Sequence, residues 1–390
     1  MRLDNKSGRR KSAINREELR RRFLDIYPSS REIIIVRAPG RINLIGEHTD
    51  YNKGLVLPVA LDREIIAIGS LGRGSEMALY SENFKTFSRF SWEGKIERDS
   101  QAPWANYPRG VIYLLREKGI KLKGLNLFYW GDLPLGGGLS SSAAIEIATA
   151  FLLNEYLGLD LAALEMIKLC QQAENEFVGV NCGIMDQFIV RLAEKGKAIF
   201  LNCRDLSYEQ VPFPGQKIRV MVCNTMVKRN LKASNYNRRR EECQEAVKVL
   251  GEIDGANFER YQDKLTPILR KRARHVISEN ERVKKAVTYF KSMDFSSLGE
   301  CLYESHRSLR DDYEVSCPEL DLMVGLARGV KGTWGSRMTG AGFGGCTVNL
   351  VSLESVNKFR EEVSRGYQKK TGCVPEIYTS SVEGGMSRLE

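Results

Sequence analysis

The chain has 390 residues, a length that suits two or three domains and a core that needs no disulfide or metal staple. Apolar residues make up 42% and charged residues 28%, which excludes disorder, collagen and small disulfide scaffolds; no run of about 18 uncharged apolar residues is present to span a membrane. The net charge is +10, but nine basic and three acidic residues fall in the first 22, so +6 of it is a tail effect and no nucleic-acid partner is expected.

The tail has no apolar segment of a secretory signal, and a helix is expected to start across Glu17 to Phe23. Glu32 to Val36 reads as a buried strand, followed by a turn at Arg37 to Gly40. Leu55–Leu61 and Ile65–Ile68 read as two strands flanking a charged bend, and Leu125–Tyr129 as another. From Ser142 a helix is expected, with Ile145, Ala148, Thr149, Leu152 and Tyr156 at helical spacing. A second helix should cover Leu161 to Phe177, then a strand Ala198 to Leu201. Pro212 and Pro214 mark a domain boundary. Beyond it, Ile218–Cys223 and Thr347–Leu350 read as strands. Tyr236–Leu250, Phe258–Arg274, Glu279–Phe290 and Leu353–Tyr367 read as helices. The order is α+β, without regular βαβ alternation.

Nine cysteines are present, none in a CxxC, and an odd number cannot pair completely. They point to a reducing, cytoplasmic setting. The three histidines, His48, His275 and His306, lie in no zinc-ligand spacing. Nothing in the sequence reports on oligomeric state.

The sharpest local signal is Leu133 to Ala144 (LPLGGGLSSSAA), between a strand and a helix. Gly136, Gly137 and Gly138 permit close backbone approach, Ser140, Ser141 and Ser142 offer hydroxyls, and the helix behind them offers free amides and a positive dipole end. That is an anion site of phosphate size, or else a flexible turn with a serine cap. The lysine of a Walker loop is absent, so charge compensation must come from Mg²⁺, amides or other cations. Glu174 on the next helix is a candidate partner for the ion, or a solvated helical carboxylate.

Two further clusters carry polar chemistry. Arg37 to Asn52 includes Arg41, Glu47, His48 and Asp50, donors and acceptors that suit a polyol or an ion-pair network. Asp186 sits in an apolar, glycine-bounded segment, where an acid is catalytic or structurally paired.

Gly40 to Asn52 (GRINLIGEHTDYN), Gly136 to Ala144 and Gly335 to Cys346 (GSRMTGAGFGGC) resemble the three signature motifs of the GHMP small-molecule kinases, and within them the galactokinase family. Cys182 to Gln187 and Ser305 to Tyr313 are similar to that family too, and the resemblance runs from about residue 18 to the C-terminus. It implies a two-domain α+β GHMP-kinase-like fold, residues 1–212 and 213–390, with the active site in the cleft between. It implies an ATP-dependent sugar 1-kinase with galactose and Mg-ATP as partners, Mg²⁺ as cofactor and no membrane. Asp186 matches the catalytic base and Arg41 its neighbour. Glu47, His48, Asp50, Gly183 and Tyr236 match sugar contacts. Gly136, Gly137, Gly138, Ser140, Ser141 and Ser142 match the phosphate loop, Ser142 and Glu174 the Mg²⁺ positions, and Gly342 to Gly345 backbone along the sugar and phosphate sites. Asn235 and Arg229 depart from the family pattern near Tyr236. The alternatives are a kinase for N-acetylgalactosamine or galacturonate, or a catalytically silent sensor of galactose and ATP.

Overall fold

The computed structural model describes residues 15–134, 138–227 and 232–390; Gly136, Gly137 and Arg229 lie outside the described residues. In chain order the strands are β1 (Ile34–Asn43), β2 (Leu55–Val56), β3 (Pro58–Leu71), β4 (Glu76–Ser81), β5 (Thr86–Ser91), β6 (Leu125–Gly131), β7 (Lys197–Asn202), β8 (Tyr208–Pro212), β9 (Ile218–Asn224), β10 (Thr333–Thr339), β11 (Cys346–Ser352), β12 (Glu376–Ser380) and β13 (Ser387–Arg388). The α-helices are α1 (Arg16–Ile26), α2 (Asn106–Glu117), α3 (Ser141–Leu157), α4 (Ala163–Gln172), α5 (Met185–Leu192), α6 (Lys232–Leu250), α7 (Gly255–Tyr261), α8 (Pro267–Ser292), α9 (Phe295–Asp311), α10 (Pro318–Gly329) and α11 (Val356–Thr371).

The first sheet has the order β13-β1-β3-β6-β4-β5, antiparallel except for the β4/β6 pair. Period-two alternation gives it two apolar faces. Ile35, Ile66, Ile68 and Phe128 pack on Leu19 and Phe23 of α1. Val36, Ala67 and Leu127 join the core that includes Ala148 and Leu152 of α3. A second sheet, β10-β11-β9-β12, puts Met221, Cys223 and Val351 against Phe359, Val363 and Tyr367 of α11. Its other face, through Val220, Val222, Val348 and Leu350, joins the same core as the first sheet. A third, smaller sheet is β2-β7-β8. The division expected at 212/213 falls in the loop between β8 and β9.

Three expectations are corrected. The turn at Arg37 to Gly40 is strand: β1 runs through it, with a register shift between Pro39 and Arg41, a bulge that tolerates proline and re-aims the next side chain. The charged bend Asp62-Arg63-Glu64 is the middle of one continuous strand, β3. Each charge has a partner there: Ser380 for Asp62, the Tyr378 ring for Arg63 and Arg37 for Glu64 at 2.6 Å. Helix α8 is likewise unbroken across residues 275–278. Arg272, His275 and Glu279 occupy its buried face, so polar side chains interrupt the apolar stripe without interrupting the helix.

Candidate active site

Arg41 leaves the β1 bulge almost fully buried and joins two elements. Its Nε donates to Asp186 Oδ1 at 2.6 Å and its Nη2 to Asp186 Oδ2 at 2.5 Å, a bidentate fork of the strong kind. Its Nη1 donates to Gly138 O at 2.5 Å and its main-chain N–H to Leu139 O at 3.2 Å. Gly40 permits this approach, since a Cβ there would lie 2.9 Å from Leu139 O. Burial disfavours the Arg41 charge, but the Asp186 carboxylate outweighs it and the guanidinium pKa is raised.

Asp186 is in the first turn of α5, where the helix dipole favours an anion. Besides Arg41 it accepts from Ser140 Oγ. A carboxylate offers about four lone-pair sites; three are used, leaving one free on Oδ1. Ser140 adopts a left-handed conformation (φ 57°) and makes no side-chain cap bond to α3. The helix begins at Ser141, so Ser142 is not its N-cap, contrary to its apparent place in the sequence.

Glu47 is held by residues nearly 300 positions away. Its Oε1 accepts from Thr339 Oγ1 at 2.7 Å, Gly340 N at 2.8 Å and Arg337 Nη2 at 3.3 Å. Arg337 is fully buried and also donates to Leu44 O and Asn43 O, each at 2.6 Å. Asp50 opens a short 3₁₀ turn, Asp50–Asn52. Its carboxylate lies against Gly183, where a Cβ would fall 1.9 Å from Asp50 Oδ2; only glycine leaves that space. Burial, then the charge of Asp186, pushes the Asp50 pKa up to about 7. Burial lowers His48 to about 3, a neutral ring. The Tyr236 ring stands 5.7 Å from that of His48 and 5.4 Å from that of Tyr51.

Glu174, in the π-turn Ala173–Val178 after α4, is buried, with the Ser142 side chain beside it. Burial, then the charge of Asp186, lifts its pKa to about 7. Its Oε2 accepts from Gln187 Nε2 at 2.8 Å, and the same amide donates to Glu146 Oε2 at 3.0 Å. Burial raises the Glu146 carboxyl far above its usual range.

A cavity of about 450 Å³ collects the expected residues. Arg41, Ser140 and Asp186 line it together with Glu47, His48, Asp50, Gly183 and Tyr236 and with Gly138, Ser141, Ser142 and Glu174, and the Asp186 charge reaches both Asp50 and Glu174. Gly340 and Ala341 of the third motif line it as well. The Gly342–Gly345 stretch does not: Gly342 packs on Val315 and Gly344 on Val227. Arg337, Thr339, Glu146 and Gln187 escaped the sequence reading as individual residues. Glu146 had a signal: a carboxylate in the Ala/Ile/Leu run of a helix buried nearly all round. Among the described residues no group of three or more His, Cys, Asp or Glu is placed to hold a metal. The Ser142 hydroxyl and the Glu174 carboxylate suit a small hard cation whose other ligands are phosphate oxygens and water.

Residues 21–71 match the galactokinase galactose-binding signature, residues 106–193 the N-terminal domain of GHMP kinases and residues 286–369 their C-terminal domain. The galactokinase of Fusobacterium nucleatum is 43% identical over 96% of this chain and 100% of its own length; that of Bacillus subtilis is 40% identical over 96% and 99%. The crystal structure of Lactococcus lactis galactokinase complexed with galactose superposes with a TM-score of 0.90 at 37% identity, covering 96% of this chain and 99% of that one. Methanococcus jannaschii mevalonate kinase shares the fold at a TM-score of 0.65 and 18% identity, over 91% and 99%. The polar cleft built on the β1 bulge and the N-termini of α3 and α5 is thus found in a chain that belongs to the galactokinase family of GHMP kinases.

Proposed function

We propose that the protein is a galactokinase, transferring the γ-phosphoryl group of ATP to the 1-hydroxyl of α-D-galactose to give galactose 1-phosphate and ADP. One observation carries the reading: the Arg41–Asp186 pair lines a single cavity with Glu47, His48, Asp50 and Tyr236 and with the serines that open α3. Full-length identity to galactokinases supports it.

Glu47, His48, Asp50 and Tyr236 hold the sugar hydroxyls, and the glycine at 183 leaves room for the Asp50 carboxylate. The phosphates lie on Ser140 to Ser142 and the amides opening α3. The remaining Oδ1 site of Asp186 accepts the hydrogen of the attacking hydroxyl. Held in place by three donors, this carboxylate orients the hydroxyl first and takes the proton late. That suits a loose phosphoryl transfer, which depends on positioning and charge stabilisation. Arg41 stays protonated and faces the charge that spreads over the transferred group. Ser142 and Glu174 would hold Mg²⁺, which when bound neutralises charge on the β- and γ-phosphate oxygens.

The test is a sugar panel at saturating Mg-ATP with product identification. A wall built for an axial 4-hydroxyl leaves a buried partner unsatisfied by the epimer. Glucose is expected to be poorer than galactose by at least roughly 10²-fold in kcat/KM. If galacturonate or N-acetylgalactosamine exceeds galactose, the kinase class stands and the sugar assignment falls.

A further inference from the structure

Each histidine has a distinct neighbourhood. His275 Nε2 lies 3.1 Å from Glu47 O; a carbonyl only accepts, so the proton is on Nε2. His306 Nδ1 accepts from Met338 N at 3.2 Å, so its proton is on Nε2, which faces Asp321 Oδ1 at 3.1 Å. Backbone groups thus fix two tautomers. His48 differs. Its Nδ1 meets the Tyr51 hydroxyl at 2.8 Å; its Nε2 is buried without a hydrogen-bond partner. The Ala341 backbone lies beside the ring but at a geometry that makes no such bond.

A chain of hydroxyls continues behind Tyr51. Its oxygen is 2.8 Å from Tyr313 Oη, and Tyr313 Oη is 3.0 Å from Cys243 Sγ. Tyr313 and Cys243 are wholly buried, so the chain meets the cavity only at Tyr51. General acid–base strengths set its direction. Imidazole nitrogen is a better acceptor than a phenol oxygen, and a phenol is a better donor than neutral imidazole N–H. A phenol oxygen is in turn a better acceptor than a thiol sulfur. Each member of the chain has a single proton to give, so once Tyr51 donates to His48 Nδ1 the next bond must come from Tyr313 and the one behind it from Cys243. The protons therefore point from Cys243 to Tyr313, to Tyr51, to His48 Nδ1.

We propose that Cys243, Tyr313 and Tyr51 form a polarised hydrogen-bond relay that fixes His48 as its Nε2–H tautomer, making that nitrogen a permanent donor to an oxygen of the bound sugar. The inference rests on the galactose-site reading above. Tyr51 and Tyr313 are then positioning residues for sugar recognition, and the relay explains why a neutral histidine in this wall is not free to present an acceptor instead.

With only three histidines, two-bond ¹H–¹⁵N correlation on the labelled full-length protein reads each tautomer directly. In the parent, His48 is expected to show a bare Nδ1 and a protonated Nε2, with the Nε2 resonance moving when galactose is added. Tyr51→Phe removes the donor while keeping the ring. The His48 signals should shift toward mixed tautomers, and the galactose KM should rise about 3- to 10-fold, the range for one neutral hydrogen bond. That rise should exceed any fall in kcat, and the KM for Mg-ATP should not follow it. Tyr313→Phe should act in the same direction but less, and should add nothing in a Tyr51→Phe background, since the two act in series. An Nδ1–H signature in the parent overturns the relay. So does a folded Tyr51→Phe with unchanged galactose KM while the parent's His48 still responds to galactose. If His48 ignores galactose in an enzyme that turns it over, the sugar-site reading of His48 fails first and the relay falls with it.

Discussion

The two walls of the cavity are held by different means. On the side proposed for the sugar, buried side chains reach across the molecule: Arg337 and Thr339 to Glu47 and the Asn43 carbonyl, His275 to the Glu47 carbonyl, and Glu279 Oε1 to the Gly46 amide at 3.0 Å. On the side proposed for the phosphates, the contacts made by Gly138 and Leu139 are backbone carbonyls laid on Arg41. A ring that must be told from its epimers needs acceptors fixed by other side chains. A phosphate needs amides and a dipole end, which glycine and a helix start supply unaided. Arg41 belongs to both walls, and Asp186 is the point where they meet.

Breaking that meeting point should have the largest effect. Asp186→Asn preserves shape but replaces an acceptor oxygen with a donor amide and weakens the fork to Arg41. A fall in kcat on the order of 10²-fold or more is expected, as for positioned acid–base groups. Galactose binding should largely survive, because the sugar wall hangs from Arg337 and β10. Steady-state kinetics beside a direct binding assay settle it: a variant within threefold of the parent kcat would remove Asp186 from the chemical step.

Arg337→Lys should separate the walls. A lysine retains the charge but not a fork that reaches two carbonyls and a carboxylate at once. Lost charge-assisted bonds here should lower galactose kcat/KM by about 10- to 100-fold, with the KM for Mg-ATP little changed. Equal losses for both substrates would mean that Arg337 supports the whole cleft and not one side of it.

The phosphate side should respond more gently. Ser142→Ala removes a hydroxyl that faces Glu174 without removing a helix cap, so little stability should be lost. The KM for Mg-ATP should rise about 3- to 10-fold. Glu146→Leu should act in the same sense one layer further out, because Gln187 then loses one of the two carboxyl groups that aim its amide; Glu146→Gln should largely restore the parent behaviour. A variant of either residue whose galactose KM moves instead would contradict the division into two walls.

How much of this was legible follows the same division. The side proposed for phosphate is local in sequence: glycines, serines and a helix pattern within twelve residues mark an anion site before any folding. The galactokinase-like stretches supplied the sugar side by resemblance, and Glu47, His48, Asp50, Gly183 and Tyr236 do line one cavity. What holds them was not legible. Arg337 reads as one cation in a strand, and only the approach of β10 to the end of β1, where Arg337 reaches the Asn43 and Leu44 carbonyls, shows that it carries Glu47. The fold shows the same limit. Apolar runs such as Ile34–Val36 and Ile218–Cys223 betray their strands. Arg37 to Gly40 and Asp62 to Glu64 resembled turns because proline and charge are turn signals, and their partners come from distant β3, β12 and β6.

The smallest effect tests whether the sugar wall is strained by its own preorganisation. Asp50 faces Asp186, Glu47 and Arg41, with Tyr236 and Cys203 also near. Its folded pKa is about 7 against 3.8 for the free side chain, chiefly through burial. The folded state therefore holds this proton more tightly than the unfolded chain does. As pH rises from about 4 to 7 the unfolded state loses the proton first, and stability falls across that window. Above 7 the folded protein carries a half-buried carboxylate that no sugar hydroxyl yet satisfies. Asp50→Asn mimics the protonated form. It should raise Tm of the sugar-free protein by about 1–3 °C at pH 8 and make almost no difference near pH 4, while weakening galactose binding, as expected where function keeps a site less stable than it could be. Scanning calorimetry of parent and variant across that pH range decides the point. A variant whose Tm drops by the same amount at both ends would show that Asp50 is satisfied within the empty site, and that its wall, like the amides on the phosphate side, waits for its ligand without strain.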